Sequence, residues 1–125
     1  MATPESTRSI LDAMLNKTLF VVLRTPVDIA RMPDVLEEHL HWAMGAERRG
    51  ELFASGPFVA KGAAPGSQGG MSIVRACDHE EVRRILEMDP FVRERLVTLD
   101  IRQWSLMEGC VSISLRFSDR SGTLF

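Results

Sequence analysis

The sequence predicts an α+β fold in which two helices cover one face of an antiparallel sheet. The first observation is the order of apolar patterns along the chain, which alternate between strand and helix periodicity as β-α-β-β-α-β. The second is size, because 125 residues with 45% apolar side chains suit one domain with its own core. Two split βαβ units in this order are typical of the ferredoxin-like sandwich.

The first strand and helix have the clearest patterns. Residues 18–24 form a continuous apolar run and predict a buried central strand, and Pro26 and Pro33 bracket the loop that follows. Residues 34–49 predict a helix that ends at Gly50. The apolar positions of this helix recur at three- and four-residue steps and are Leu36, Leu40 and Ala43.

The second half of the predicted domain again consists of strands on either side of a helix. A capping box, Asp78-x-x-Glu81, opens the second helix, and Asp89-Pro90 ends it and starts a further turn. A glycine-rich loop at 61–70 precedes the third strand. The remaining predicted strands are at residues 51–55, 71–76 and 97–104.

The chain extends beyond this pattern at both ends. We expect an arm or short helix at 1–17, the α+β domain at 18–106, and a C-terminal strand and tail at 107–125. The extra strand alternates polar and apolar residues over 111–117, so it predicts a half-buried strand that extends the sheet or clasps a partner subunit. The sheet face without helices carries Trp104 and Leu106, which favours a homodimer.

Composition excludes several functional classes. A net charge of −2 gives no basic face for nucleic acid, and no apolar run reaches the ~20 residues of a membrane span. The N-terminus lacks the order of a signal peptide, and two cysteines without a CxxC motif make no disulfide framework. We therefore expect a soluble, cytoplasmic protein that neither binds nucleic acid nor spans a membrane.

Few side chains can act as acids or bases, because the chain has three histidines and no tyrosine. His39 and His41 lie two positions apart, about 200° around a helix, so they cannot bind one metal ion. His79 falls in a capping turn and is expected to be solvated. We expect neither a metal nor a cofactor. From the residues alone, His39 reads as a half-buried histidine bonded to the backbone and Asp89 as a helix cap.

Other polar residues have simple structural interpretations. Arg24 and Arg102 lie on strands, where each is expected to be solvated or salt-bridged rather than to bind an anionic substrate. Cys77 precedes a helix but lies in no nucleophile motif, so it is expected to be inert. Gly56-Pro57 reads as a turn that ends a strand.

Four blocks nevertheless resemble one known family. They are Glu38-His39-Leu40, Leu52 to Pro57, Gly70 to Val74, and Met88-Asp89-Pro90-Phe91-Val92. In order and spacing they resemble the YciI-like (YCII-related) family from about Leu19 to Leu106. Members of that family resemble dimeric α+β barrels related in fold to muconolactone isomerase, which agrees with the strand order above.

The resemblance implies a site. Its His–Asp pair would be His39 and Asp89, and Ser55, Gly56, Pro57 and Phe91 would bind substrate, with a hydroxyl from Ser55 and a backbone N–H from Gly56. At least one member resembles a cofactor-free dehydrochlorinase of hydroxylated aromatics.

We therefore predict a cofactor-independent acid/base lyase, isomerase or dehydrochlorinase that acts on a small cyclic phenol, quinol or lactone. The alternative is a non-catalytic, small-molecule-binding or accessory dimer. A third hypothesis is a haem-binding or monooxygenase relative, although no axial-ligand motif is visible.

Overall fold

The computed structural model describes residues 3–124. Its contacts divide the chain into a larger unit, residues 18–105, and a smaller unit formed by the chain on either side. In chain order the elements are α1 (Glu5–Ala13), β1 (Lys17–Pro26), a 3-10 turn (Ile29–Arg31), α2 (Met32–Arg48), β2 (Leu52–Pro57), β3 (Gly70–Val74), α3 (His79–Glu87), α4 (Pro90–Arg93), β4 (Val97–Leu106), β5 (Ile113–Leu115) and β6 (Gly122–Leu124).

The larger unit contains a four-stranded sheet with the strand order β2-β3-β1-β4. β3 runs antiparallel to both β1 and β2. This order and the βαββαβ succession are those of the ferredoxin-like sandwich, so the predicted α+β fold class is confirmed.

The core lies on the face of the sheet that α2 and α3 cover. Phe20 and Val22 of β1 point into it, and both are at most 1% exposed. Their main partners are Leu52, Ala46, Val74, Val82, Ile85 and Leu86. A second apolar cluster lies beside α4 and contains Met32, Phe91, Leu96 and Val97.

Helix α2 differs from its predicted limits and face. It begins at Met32 because proline is tolerated in the first helical turn, so Pro33 lies inside the helix. Leu36 and Leu40, predicted to face the core, are 45% and 50% exposed. Ala43 packs against the core as predicted, and the other residues that face inward are Met32, Val35, His39, Trp42 and Ala46.

The predicted caps of α3 and α4 both form. The Asp78 carboxylate accepts the Glu81 N–H, while the Glu81 carboxylate accepts the N–H of Cys77 rather than that of Asp78. Asp89 accepts the Phe91 N–H and caps α4, as expected.

Strand β2 is longer than predicted because it continues through Gly56 and Pro57. A register shift between Leu52 and Ala54 allows Leu52 to pair with Val74 and Ser55 with Ser72. Since Val74 and Ser72 lie two positions apart, Leu52 and Ser55 face the same side of the sheet.

The smaller unit contains α1 and a two-stranded antiparallel sheet of β5 and β6. The predicted extra C-terminal strand forms, but only over Ile113–Leu115 rather than 111–117, and its residues are exposed rather than half-buried. β5 pairs with β6 and does not extend the four-stranded sheet. Among residues 3–124, no helix is long and apolar enough to cross a bilayer.

Candidate active site

The site is centred on a buried contact between α2 and the start of α4. His39 Nδ1 lies 2.7 Å from Asp89 Oδ1, and the two residues are 8% and 0% exposed. The pair joins positions 50 residues apart in the chain, so the packing of α2 against α4 creates it. A hydrogen bond of this length to a carboxylate is charge-assisted and among the stronger kinds in proteins.

Asp89 has two structural roles at once. Its Oδ1 also accepts the backbone N–H of Phe91 at 3.0 Å, which fixes the carboxylate at the first turn of α4. Its Oδ2 is buried and has no hydrogen-bond partner among the described residues. The two interpretations of Asp89, helix cap and partner of histidine, are therefore compatible.

Aromatic rings hold the imidazole in place. The Phe91 ring stacks on that of His39, with centroids 4.1 Å apart and planes inclined by 12°. The Trp42 ring lies 6.0 Å away at a tilt of 36°. These aromatic neighbours restrict rotation of the imidazole and limit its contact with water. Each of these two effects strengthens the hydrogen bond between His39 and Asp89.

This arrangement determines the tautomer of a neutral imidazole. Because Asp89 accepts a hydrogen bond at Nδ1, the proton of a neutral His39 lies there and the lone pair lies on Nε2. Nε2 makes no hydrogen bond within the described part of the chain. Such a geometry can serve a general base, because a carboxylate on Nδ1 would stabilise an imidazolium formed by protonation of Nε2.

Arg24 of β1 is a buried charge that the sequence interpretation placed wrongly. It was expected to be solvated or salt-bridged, but it is 8% exposed and forms no ion pair in the described structure. Its guanidinium donates to the hydroxyls of Ser72 and Ser55 and to the carbonyl of Gly56. Burial lowers the pKa of Arg24, and the negative charge of Asp89 opposes that shift. Arg24 follows Phe20 and Val22 in strict alternation, which is the signal that could have revealed its inward direction.

The other predicted substrate-binding residues divide into two groups. Phe91 lies directly on His39, whereas Ser55 and Gly56 lie beside Arg24, and Gly56 uses its carbonyl rather than its N–H there. Pro57 is exposed and borders a cavity of about 280 Å³ with Met71 and other residues of β2 and β3. Thus the structure brings His39, Asp89 and Phe91 into direct contact. Within residues 3–124, no hydrogen bond or ring contact joins them to Ser55, Gly56 or Pro57.

The remaining candidates lie elsewhere. The His41 side chain is 69% exposed beside Glu37, and the His79 ring meets the edge of Phe20 at 5.0 Å. A hydrogen bond with Glu81 and the charge of that carboxylate raise the pKa of the exposed Cys77 thiol. No group of three potential metal ligands occurs within residues 3–124.

The fold and this geometry define an α+β protein of the ferredoxin-like class with a buried histidine–aspartate pair. The model of the YCII-related domain matches residues 18–105, and the chain belongs to that family. The predicted family is therefore confirmed. No protein with a curated description matches the chain.

Among solved structures, the chain is similar to 5-chloro-2-hydroxyhydroquinone dehydrochlorinase from Burkholderia phenoliruptrix AC1100, in complex with 2,5-dihydroxybenzoquinone. The two are 22% identical, and the match covers 69% of this chain and 92% of that one with a TM-score of 0.57. The similarity extends to nearly all of the enzyme's fold.

Proposed function

We propose that this protein is a cofactor-independent acid/base enzyme, a lyase, isomerase or dehydrochlorinase, whose substrate is a small cyclic phenol, quinol or lactone. The observation that carries the proposal is the 2.7 Å contact of His39 Nδ1 with Asp89 Oδ1 in a buried position. The fold shared with a dehydrochlorinase of a chlorinated hydroquinone supports the same class of substrate.

In this mechanism His39 Nε2 accepts a proton from a ring hydroxyl or from a carbon next to a carbonyl. Asp89 holds the ring and stabilises the imidazolium. In an isomerisation the proton returns to another atom of the substrate. In an elimination the electrons of the broken O–H or C–H bond form a new double bond, and chloride leaves with the electron pair of the C–Cl bond. Positioned acid/base catalysis accelerates such steps by about 10²–10⁴-fold.

The alternative is a non-catalytic protein that binds a metabolite. It would be favoured by a histidine and an aspartate too far apart for a direct or water-mediated contact. The observed distance of 2.7 Å supports the catalytic hypothesis instead.

We propose further that the protein forms a homodimer through the sheet face opposite the helices. Val21 pairs with Ile73 and Leu23 with Met71 on that face, and all four side chains are half-buried. A face of this composition is typical of subunit interfaces. Light scattering that gives the mass of one chain would contradict this proposal.

The functional test is a panel of chlorinated and unchlorinated phenols, quinols and lactones. Compounds that raise the melting temperature are then assayed for turnover by the wild type and by His39→Ala and Asp89→Asn variants. Each substitution should lower turnover at least ~10²-fold. His41→Ala is the matched control, because His41 lies on the same helix but is exposed. A substrate that His39→Ala converts at the wild-type rate would refute the mechanism.

A further inference from the structure

A cavity of about 470 Å³ lies between α2 and α3. Its volume is in the range typical of small-molecule binding sites. None of His39, Asp89 and Phe91 lines it. Trp42 does line it, and the Trp42 ring also lies 6.0 Å from that of His39. The cavity is therefore a neighbour of the proposed active site but not a part of it.

One part of the cavity is apolar and is lined by Trp42, Ile85 and Met88. Ile85 belongs to the core and is 8% exposed, whereas Met88 is 60% exposed. The indole ring of Trp42 provides a flat apolar surface, and the flexible side chain of Met88 can adapt to partners of different shape. This part of the cavity suits the aromatic or aliphatic body of a small ligand.

The other part of the cavity is charged, and both of its carboxylates already accept hydrogen bonds. Glu51 Oε1 accepts Arg49 Nε–H at 2.8 Å, and Glu81 Oε2 accepts the Cys77 N–H at 2.7 Å. Hydrogen bonds with Cys77 and, to a smaller extent, the charge of Arg84 lower the pKa of Glu81. Both carboxylates are therefore stabilised without a ligand.

The hydrogen-bond donors of the cavity are less well satisfied. Arg84 lines it and forms no hydrogen bond or ion pair within residues 3–124, although a guanidinium has five N–H donors. Arg49 bonds Glu51 through Nε, so its two Nη groups remain available. The Nε1–H of Trp42 is buried and has no acceptor in the described part of the chain. The cavity thus lacks an acceptor, and two of its unused donors are positively charged.

Helix α2 makes room for one of these arginines. Gly45 lies one turn before Arg49, and a Cβ atom at Gly45 would lie 3.1 Å from Arg49 Nη1. Glycine is unfavourable inside a helix relative to alanine, so its presence here has a cost. In return, the guanidinium of Arg49 can lie close along the helix, at the edge of the cavity.

We propose that this cavity is an auxiliary binding site for a small carboxylic acid with an apolar body. The carboxylate pairs with Arg84, and the body lies against Trp42 and Met88. A carboxylate supplies both what the cavity lacks, an acceptor, and the charge opposite to that of its unpaired arginine. The site goes beyond the proposed function and does not depend on it, since it contains neither residue of the histidine–aspartate pair.

The test compares 4-phenylbutyrate with 4-phenylbutan-1-ol, which share an apolar body and differ in the carboxylate. Isothermal titration at low salt should show that the wild type binds the acid about 3–10-fold more tightly than the alcohol, the factor expected of one contact to an arginine. Arg84→Gln should remove this preference and leave the affinity for the alcohol within about twofold of the wild-type value.

Arg83→Gln is the matched control. Arg83 is the neighbour of Arg84 on α3, and both are exposed, but Arg83 does not line the cavity. Both variants should fold, because substitutions at exposed positions change stability little, and Arg83→Gln should keep the preference for the acid. Trp42 and Trp104 are the two tryptophans of the chain, so Trp104→Phe leaves one indole N–H signal in the ¹H–¹⁵N spectrum. That signal should shift when 4-phenylbutyrate is added.

Undetectable binding of the acid, or equal affinity of the wild type for the two ligands, would overturn the inference. The same applies to an Arg84→Gln variant that keeps the preference. His39→Ala should bind the acid within about twofold of the wild type. Binding that is lost in His39→Ala and kept in Arg84→Gln would assign the acid to the histidine–aspartate pair instead. Failure of the proposed function would look different, because it would appear as turnover by His39→Ala.

Discussion

Replacement of Asp89 by alanine is the sharpest test of the energetics of the site. The substitution removes a helix cap, since Asp89 Oδ1 accepts the Phe91 N–H at 3.0 Å, and it removes the bond to His39 at 2.7 Å. Loss of a cap costs about 1 kcal/mol. Loss of a hydrogen bond to a charged group costs about 1.5–3 kcal/mol more. The expected loss of unfolding free energy is therefore about 2.5–4 kcal/mol.

The matched control is Asp78→Ala. Asp78 caps α3 by the same kind of contact, because its Oδ1 accepts the Glu81 N–H at 2.9 Å. Asp78 is exposed, however, and forms no hydrogen bond with a histidine among the described residues. Its removal should cost only about 1 kcal/mol. The difference between the two variants isolates what the His39 contact contributes.

Urea unfolding monitored by circular dichroism at pH 7 measures both losses of stability. The comparison holds when the unfolding free energy of each variant depends on urea concentration with the same slope as that of the wild type. Asp89→Asn should lose less stability than Asp89→Ala, because asparagine still caps a helix. Equal losses for Asp89→Ala and Asp78→Ala, within about 0.5 kcal/mol, would refute the reasoning.

Two further predictions concern packing. Gly70→Ala should destabilise the protein by at least ~1–3 kcal/mol, because its Cβ would overlap the Arg24 guanidinium. Gly56→Ala, whose Cβ meets nothing within 4 Å, should cost under about 1 kcal/mol, and equal melting temperatures of the two variants in thermal unfolding would contradict this prediction. Leu86→Ala should lower the free energy of unfolding by about 2–5 kcal/mol, because Leu86 is 1% exposed. Leu40→Ala, at a 50% exposed position, should lower it by less than about 1 kcal/mol, and a larger loss than this in urea unfolding would show that the buried face of α2 is assigned wrongly.

Much of the larger unit could be predicted from local patterns. The apolar run of β1, the Asp78 cap and the Asp89-Pro90 turn each involve neighbours in the chain. The strand and both caps form as expected. The buried face of helix α2 was harder to predict. Its apolar residues lie on more than one side, so the pattern predicted Leu36 and Leu40 as core positions although both are exposed.

The site could be predicted only in part, because its contacts are long-range. The spacing of the family motifs selects His39 and Asp89, and the structure brings them together across 50 residues. The burial of Arg24 was not predicted, because a charged residue on a strand is usually at the surface. Its burial depends on Ser72, on the next strand but one along the chain, and on a glycine opposite it, which no local pattern shows.

The tautomer of His39 tests the central claim most directly. Nitrogen-15 NMR of the imidazole distinguishes a protonated from an unprotonated ring nitrogen in the neutral form. The account predicts a proton on Nδ1, bonded to Asp89, and a bare Nε2, with the low-field Nδ1 proton signal lost in Asp89→Asn. A neutral His39 that carries its proton on Nε2 would leave no base facing the substrate and would contradict the proposed mechanism.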